Sequence, residues 1–198
     1  MLTIGILALQ GAFIEHQRVL TSLNVQTVQI RQLADFTDSL DGIILPGGES
    51  TVMGRLLNDL NLFQPIKKAI AAGLPVFGTC AGAILLAKAV INEPKLWFQT
   101  MNITVKRNAY GRQLGSFKIA APFKDYGPLP MVFIRAPKIE SVGRSVEILS
   151  SYQGSPTAVR ENNMLVTTFH PEVTTDHTIH SYFLEMCQAF HQIKETTK

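Results

Sequence analysis

Leu74-Pro75-Val76-Phe77-Gly78-Thr79-Cys80-Ala81-Gly82-Ala83-Ile84-Leu85-Leu86 is the stretch on which the fold turns. Leu74–Gly78 reads as a short strand covered on both faces, and the apolar run Ala81–Ile91 reads as a helix. Between them, Gly78-Thr79-Cys80-Ala81-Gly82 forms a strand–turn–helix junction with a cysteine at its apex. The same alternation extends upstream. Leu2–Leu9 and Gly42–Leu45 are nearly continuous apolar runs, and Val25–Ile30 alternates as a strand. Ala12, Val19, Leu20 and Leu23 share one helical face, as do Val52, Met53, Leu56, Leu57 and Leu60 after Ser50. Gly73 followed by Pro75 ends a further helix. Such βαβ alternation predicts a parallel sheet with helices on both faces.

Downstream the texture changes. From about 95 to 161, short alternating segments (Ile103/Val105, Phe117/Ile119, Val146/Ile148) are separated by turns at Pro122, Gly127-Pro128 and Gly154, which predicts antiparallel strands. Met164–Phe169 is another buried strand. The last helix carries Ile179, Tyr182, Phe183, Met186, Phe190 and Ile193 on its inner side. No linker, repeat or low-complexity tract interrupts residues 1–198, so one α/β domain is expected.

Composition narrows the function classes. A hydrophobic share of 46% against 17% charged residues describes a globular chain. A net charge of +3 with scattered basic residues predicts no nucleic-acid partner. No stretch suits a membrane span, and Leu2–Leu9 lacks the basic leader of a signal peptide. Two cysteines, Cys80 and Cys187, make no disulfide framework and suit a reducing, cytoplasmic setting.

Chemistry concentrates at three strand ends. Cys80 sits where a helix N-terminus favours a thiolate over the free thiol's pKa of about 8.5. His170-Pro171-Glu172 follows the strand Met164–Phe169 and offers a base with a carboxylate to orient it. Pro46-Gly47-Gly48-Glu49-Ser50 joins a strand to a helix. Gly47 and Gly48 let backbone N–H groups approach a substrate, and the N–H of Ala81 supplies a second oxyanion donor. Ser50 could instead cap the following helix. The loop lacks the Gly-Lys-Ser/Thr of a phosphate-binding loop. His16, His177, His180 and His191 fall in helical patterns and read as structural or surface groups.

Taken together, these elements resemble the class I glutamine amidotransferases. The likeness sharpens with Leu7-Ala8-Leu9-Gln10-Gly11, Pro46-Gly47-Gly48-Glu49-Ser50-Thr51, Gly78-Thr79-Cys80-Ala81-Gly82, Arg107-Asn108-Ala109-Tyr110-Gly111-Arg112-Gln113, Phe133-Ile134-Arg135-Ala136-Pro137 and His170-Pro171-Glu172. This set is similar to the glutaminase subunits of pyridoxal 5′-phosphate synthases and covers essentially the whole chain. The resemblance implies a three-layer flavodoxin-like α/β fold and a Cys80–His170–Glu172 triad. It also implies that Gly48, Glu49, Ser50, Arg107, Ile134 and Arg135 contact L-glutamine. No metal or organic cofactor is expected, and the implied partner is a separate pyridoxal 5′-phosphate synthase subunit that consumes the ammonia. Lys118 departs from the family's tendency to place an acidic residue after Ser116-Phe117. Two other readings stay open: a glutaminase serving another amidotransferase pathway, and a catalytically silent regulatory module.

Overall fold

The computed structural model describes residues 1–109 and 115–196. The Tyr110–Gln113 part of one family motif therefore lies outside the described residues. In chain order the elements are β1 Thr3–Leu7, α1 Phe13–Ser22, β2 Gln26–Ile30, β3 Gly42–Leu45, α2 Ser50–Asp59, α3 Phe63–Ala71, β4 Val76–Thr79, α4 Ala81–Leu86, β5 Ala87–Val90 and β6 Met101–Lys106. They continue as β7 Ser116–Pro122, β8 Pro128–Ile134, β9 Lys138–Val142, β10 Glu147–Tyr152, β11 Ser155–Glu161, β12 Met164–Thr167 and α5 Thr178–Thr196.

The main sheet runs β10-β11-β12-β4-β3-β1-β2. Strands β12, β4, β3, β1 and β2 are mutually parallel, and β10 and β11 extend the sheet antiparallel. The period-2 alternation of a strand divides each central run between two cores. Ile4, Ile6, Ile44, Phe77 and Leu165 face one side, where Leu20 of α1 and Phe183 and Met186 of α5 close over them. Leu7, Ile43, Leu45, Val76 and Val166 face the other, against Met53 and Leu57 of α2, Ile66 and Ile70 of α3, and Ile84 of α4. The result is an α/β three-layer architecture with a mostly parallel central sheet. β1 lies between β3 and β2, so the chain reverses its direction of sheet growth there. Open α/β sheets hold ligands at the carboxyl ends of strands beside such a switch point.

Residues 87–161 supply most of the rest: a β5-β6-β9 sheet and a β7-β8 hairpin. Here three expectations are corrected. The helix expected over Ala81–Ile91 ends at Leu86, and Ala87–Val90 turns into β5 beside β6. The carbonyls of Leu85 and Leu86 accept bonds from the N–H groups of Phe98 and Thr100 at 2.9 and 3.0 Å. An incoming strand thus takes the acceptors that continued helix would need. The Val146/Ile148 alternation breaks as well: Ile148 is 49% exposed, because the register slips between Ile148 and Ser150 and puts Leu149 inside. Finally, Ile193 of α5 is 66% exposed; the adjacent Lys194 reaches the carbonyls of Asp38 and Leu40 instead.

Candidate active site

Cys80 tops β4 with φ 49° and ψ −97°, a backbone region that costs a non-glycine residue energy and that marks a sharp turn. Its N–H bonds to the carbonyl of Thr167 at 2.9 Å, tying the turn to β12. The turn needs its flanking glycines. A Cβ on Gly82 would collide with the Leu45 carbonyl, and one on Gly78 would lie 2.7 Å from the Gly82 carbonyl carbon. Helix α4 can therefore start directly above the strand ends only with hydrogen at both positions.

His170 arrives from β12, and its N–H is held by the Val132 carbonyl of β8 at 2.8 Å. Pro171–Val173 forms a single 3-10 turn that brings the Glu172 side chain back onto the ring. His170 Nδ1 and Glu172 Oε1 are 2.6 Å apart. Cys80 lies close enough to the ring to raise its proton affinity, and its Sγ lies 3.9 Å from the Ile134 carbonyl oxygen. Burial, the largest single influence, pushes the His170 pKa down; the bonds to Cys80 and Glu172 and their negative charges outweigh it and raise it to about 10. The ring is only 7% exposed, so its proton is held by partners rather than by water.

A cavity of about 520 Å³ opens over Cys80 and His170. Gly47, Gly48, Glu49, Ser50, Arg107, Ile134 and Arg135 line it. Of the residues singled out from sequence, Ala81 and Glu172 do not line it. Both are nearly fully buried, Glu172 behind His170 and Ala81 at the first turn of α4. Ser50 does not cap α2: Glu49 holds the cap position, and among the described residues the buried Ser50 hydroxyl has no hydrogen-bond partner. Arg107 Nη1 is occupied by Glu93 Oε1 and Thr51 Oγ1, each at 3.1 Å. Lys118 is exposed on β7.

The glycine loop is held from outside. Ala12 N–H donates to the Gly47 carbonyl at 2.9 Å, and Glu49 N–H donates to Gln10 Oε1 at 2.7 Å. Gln10, Gly11 and Ala12 thus belong to the cavity rim.

Of the four histidines that read as structural or surface groups, His16 and His180 are of the structural kind, fully buried. His16 Nε2 lies 3.1 Å from Thr79 Oγ1 and 3.6 Å from Glu172 Oε2, while its Nδ1 lies 2.9 Å from His180 Nε2. Burial drives the pKa of both rings down, to about 3 for His180; His180 and His170 lower His16 further, and His177 lowers His180. A signal existed. His16, Val19, Leu20 and Leu23 follow the i, i+3, i+4, i+7 spacing of a single buried stripe.

The geometry has clear relatives. A model of the SNO glutamine amidotransferase family matches residues 6–189. A Streptococcus pneumoniae (strain CGSP14) protein named pyridoxal 5′-phosphate synthase subunit PdxT is 56% identical over 188 residues, covering 93% of this chain and 97% of that one. A crystal structure described as a glutamine amidotransferase superposes with a TM-score of 0.90 at 38% identity, covering 93% of this chain and 98% of the other. A Thermotoga maritima glutamine amidotransferase, 13% identical and covering 99% and 85% of the two chains, shares the fold with a TM-score of 0.62.

Proposed function

The chain belongs to the SNO glutamine amidotransferase family, and from that premise we propose that it hydrolyses L-glutamine at Cys80 and passes the ammonia to a pyridoxal 5′-phosphate synthase subunit. The observation that carries the chemistry is His170, buried between Glu172 at 2.6 Å and the Cys80 thiol on the floor of the cavity. In this reading all of residues 1–198 serve one glutaminase domain. The relatives named PdxT support the pathway, and the compartment proposed is the cytoplasm. Among the described residues no helix is long and apolar enough to cross a membrane.

The reaction follows from the positions. His170 takes the Cys80 proton, and the sulfur attacks the side-chain amide carbon, moving the carbonyl electron pair onto oxygen. N–H groups of the Gly47–Gly48 loop and of Ala81 hold that oxyanion. His170 returns the proton to nitrogen, the C–N bond breaks and ammonia leaves a glutamyl thioester. Water, deprotonated by His170, attacks the thioester. The C–S bond then breaks, glutamate departs and Cys80 regains its proton. Glu172 keeps the ring oriented and stabilises its cationic form in both halves.

Glutamine's charged end needs partners of both signs. Glu49 suits the α-ammonium, and Arg107 suits the α-carboxylate. Its Nη1 is pinned by Glu93 and Thr51, so Nε and Nη2 are held in a fixed direction. Arg135 and the Ile134 carbonyl close the remaining side, with Gly48 and Ser50 beneath.

The test is glutamate release from glutamine with and without the synthase subunit. Release that rises with the synthase and yields pyridoxal phosphate supports the whole reading. Release indifferent to it moves the glutaminase to another pathway, and no release under either condition favours a silent module. The bonds that tie Ala12 to the Gly47 carbonyl and Gln10 to the Glu49 N–H favour a rise, because a partner seated on that rim would act on the loop that carries the oxyanion donors.

A further inference from the structure

Glu172 has two carboxylate oxygens, and only one is engaged by His170. Oε1 takes the ring Nδ1 at 2.6 Å; among the described residues, Oε2 is buried with no partner inside hydrogen-bond distance. A carboxylate held by one oxygen can pivot about its Cγ–Cδ bond, and each pivot loosens the imidazole it orients. His16 Nε2 lies 3.6 Å from Oε2. His16 is itself held by Thr79 on one side and His180 on the other.

The protons in this cluster have one favourable arrangement. Were His16 protonated on Nδ1, its Nε2 lone pair would face the Glu172 carboxylate, and the His180 ring would have to carry its proton on Nδ1, buried without an acceptor. His180 Nδ1 is unmet in either order, so what separates the two is the repulsion between the His16 Nε2 lone pair and the Glu172 carboxylate. The reverse order removes that repulsion. His180 Nε2–H donates to His16 Nδ1, and His16 Nε2–H points at Thr79 Oγ1 and Glu172 Oε2. Burial keeps both rings neutral. Neutrality matters, because a cation behind Glu172 would compete with His170 for its charge. A neutral N–H restrains the carboxylate without doing so.

We propose that His16, backed by His180, is a positioning residue that restrains the second oxygen of Glu172 and so keeps the first oxygen on His170. This rests on Cys80, His170 and Glu172 acting as read above. It adds a layer behind the triad, contributed by α1 and α5, that never touches glutamine.

The experiment compares two amides at position 16 in steady-state glutamine hydrolysis with the synthase subunit present. In His16→Gln the amide nitrogen can reach the place of Nε2, whereas in His16→Asn the shorter side chain reaches His180 but stops short of Glu172. The expected result is a kcat about tenfold lower for His16→Asn with KM within about twofold, and near-normal kcat for His16→Gln. Equal kcat for the two, per folded protein by circular dichroism, overturns the proposal; so does a loss carried by KM. Histidine ¹⁵N spectra of the unsubstituted protein test it without any variant. Neutral Nε2–H tautomers at His16 and His180 are required, and an Nδ1–H tautomer at His16 overturns it. Cys80→Ala run in parallel separates the two levels: if it keeps turning over, the triad itself is wrong.

Discussion

His170 and His180 are both buried histidines, ten residues apart in sequence and joined through Glu172 and His16, yet their proton affinities move in opposite directions. His170 is raised to about 10 and His180 is lowered to about 3. Burial pulls both down. What differs is the company. His170 has a carboxylate at 2.6 Å and a thiol, whereas His180 has a neutral ring at 2.9 Å and an Nδ1 with no partner. In one buried patch, then, an ion-forming half faces the cavity and a neutral half lies behind it. Desolvation sets the default, and a single well-placed carboxylate reverses it.

The comparison can be broken most severely at its pivot. Glu172→Gln leaves the volume but removes the charge that favours imidazolium, so kcat should fall by roughly 10³–10⁴, read as glutamate release with the synthase present. Gly47→Ala attacks the same ring sterically. Its new methyl would occupy the space of His170 Cε1, forcing the imidazole off Glu172. A loss of about a hundredfold in kcat is expected from that misplacement, with the fold retained by circular dichroism.

Stability against pH sharpens the contrast without any assay of turnover. His170 has a folded pKa of about 10 against an ordinary 6.5. Its contribution is therefore complete below pH 6.5 and is lost as the pH rises toward 10. His180 is depressed from 6.5 to about 3, so its contribution is complete above pH 6.5 and is lost as the pH falls toward 3, with His16 adding in the same direction. Denaturant midpoints should then decline on both sides of pH 6.5. His170→Asn should flatten the alkaline arm, and His180→Asn the acidic one.

The smallest effect belongs to a third histidine. His191 Nδ1 lies 2.8 Å from Asp41 Oδ1, a bond of nearly the same length as the His170–Glu172 pair, but the His191 side chain is 28% exposed. Asp41 keeps the Thr3 N–H as a donor if the ring is removed. His191→Asn should cost about 1 kcal/mol or less by thermal unfolding, and leave turnover unchanged.

Much of this molecule is written locally. The strands at 42–45, 76–79 and 164–167 are read from apolar runs bounded by turn residues, and Cys80, His170 and Glu172 stand at their ends by spacing alone. Ala81–Ile91 was illegible because a short apolar run satisfies the helical and the extended pattern alike, and only the bonds from Phe98 and Thr100 decide between them. His16 was missed for a different reason. Its partners are Thr79, Glu172 and His180, 63 to 164 positions away, and no local pattern announces a contact made across three layers. Ser50 shows the same limit: a residue type suited to capping sits one position too late to cap.

The pairing of β12 against β4 has a consequence for the order in which the protein is made. Residues 76–79 are made before 164–167 and can pair with β3, but the neighbour that leads to the proposed base is residues 164–167, and Glu172 follows it. Some ninety residues of translation separate the nucleophile from its partner. A nascent or truncated chain can therefore present Cys80 without being able to release ammonia. In the proposed reading, competence arrives only when β12 slots in beside β4 and α5 closes over the back of the site.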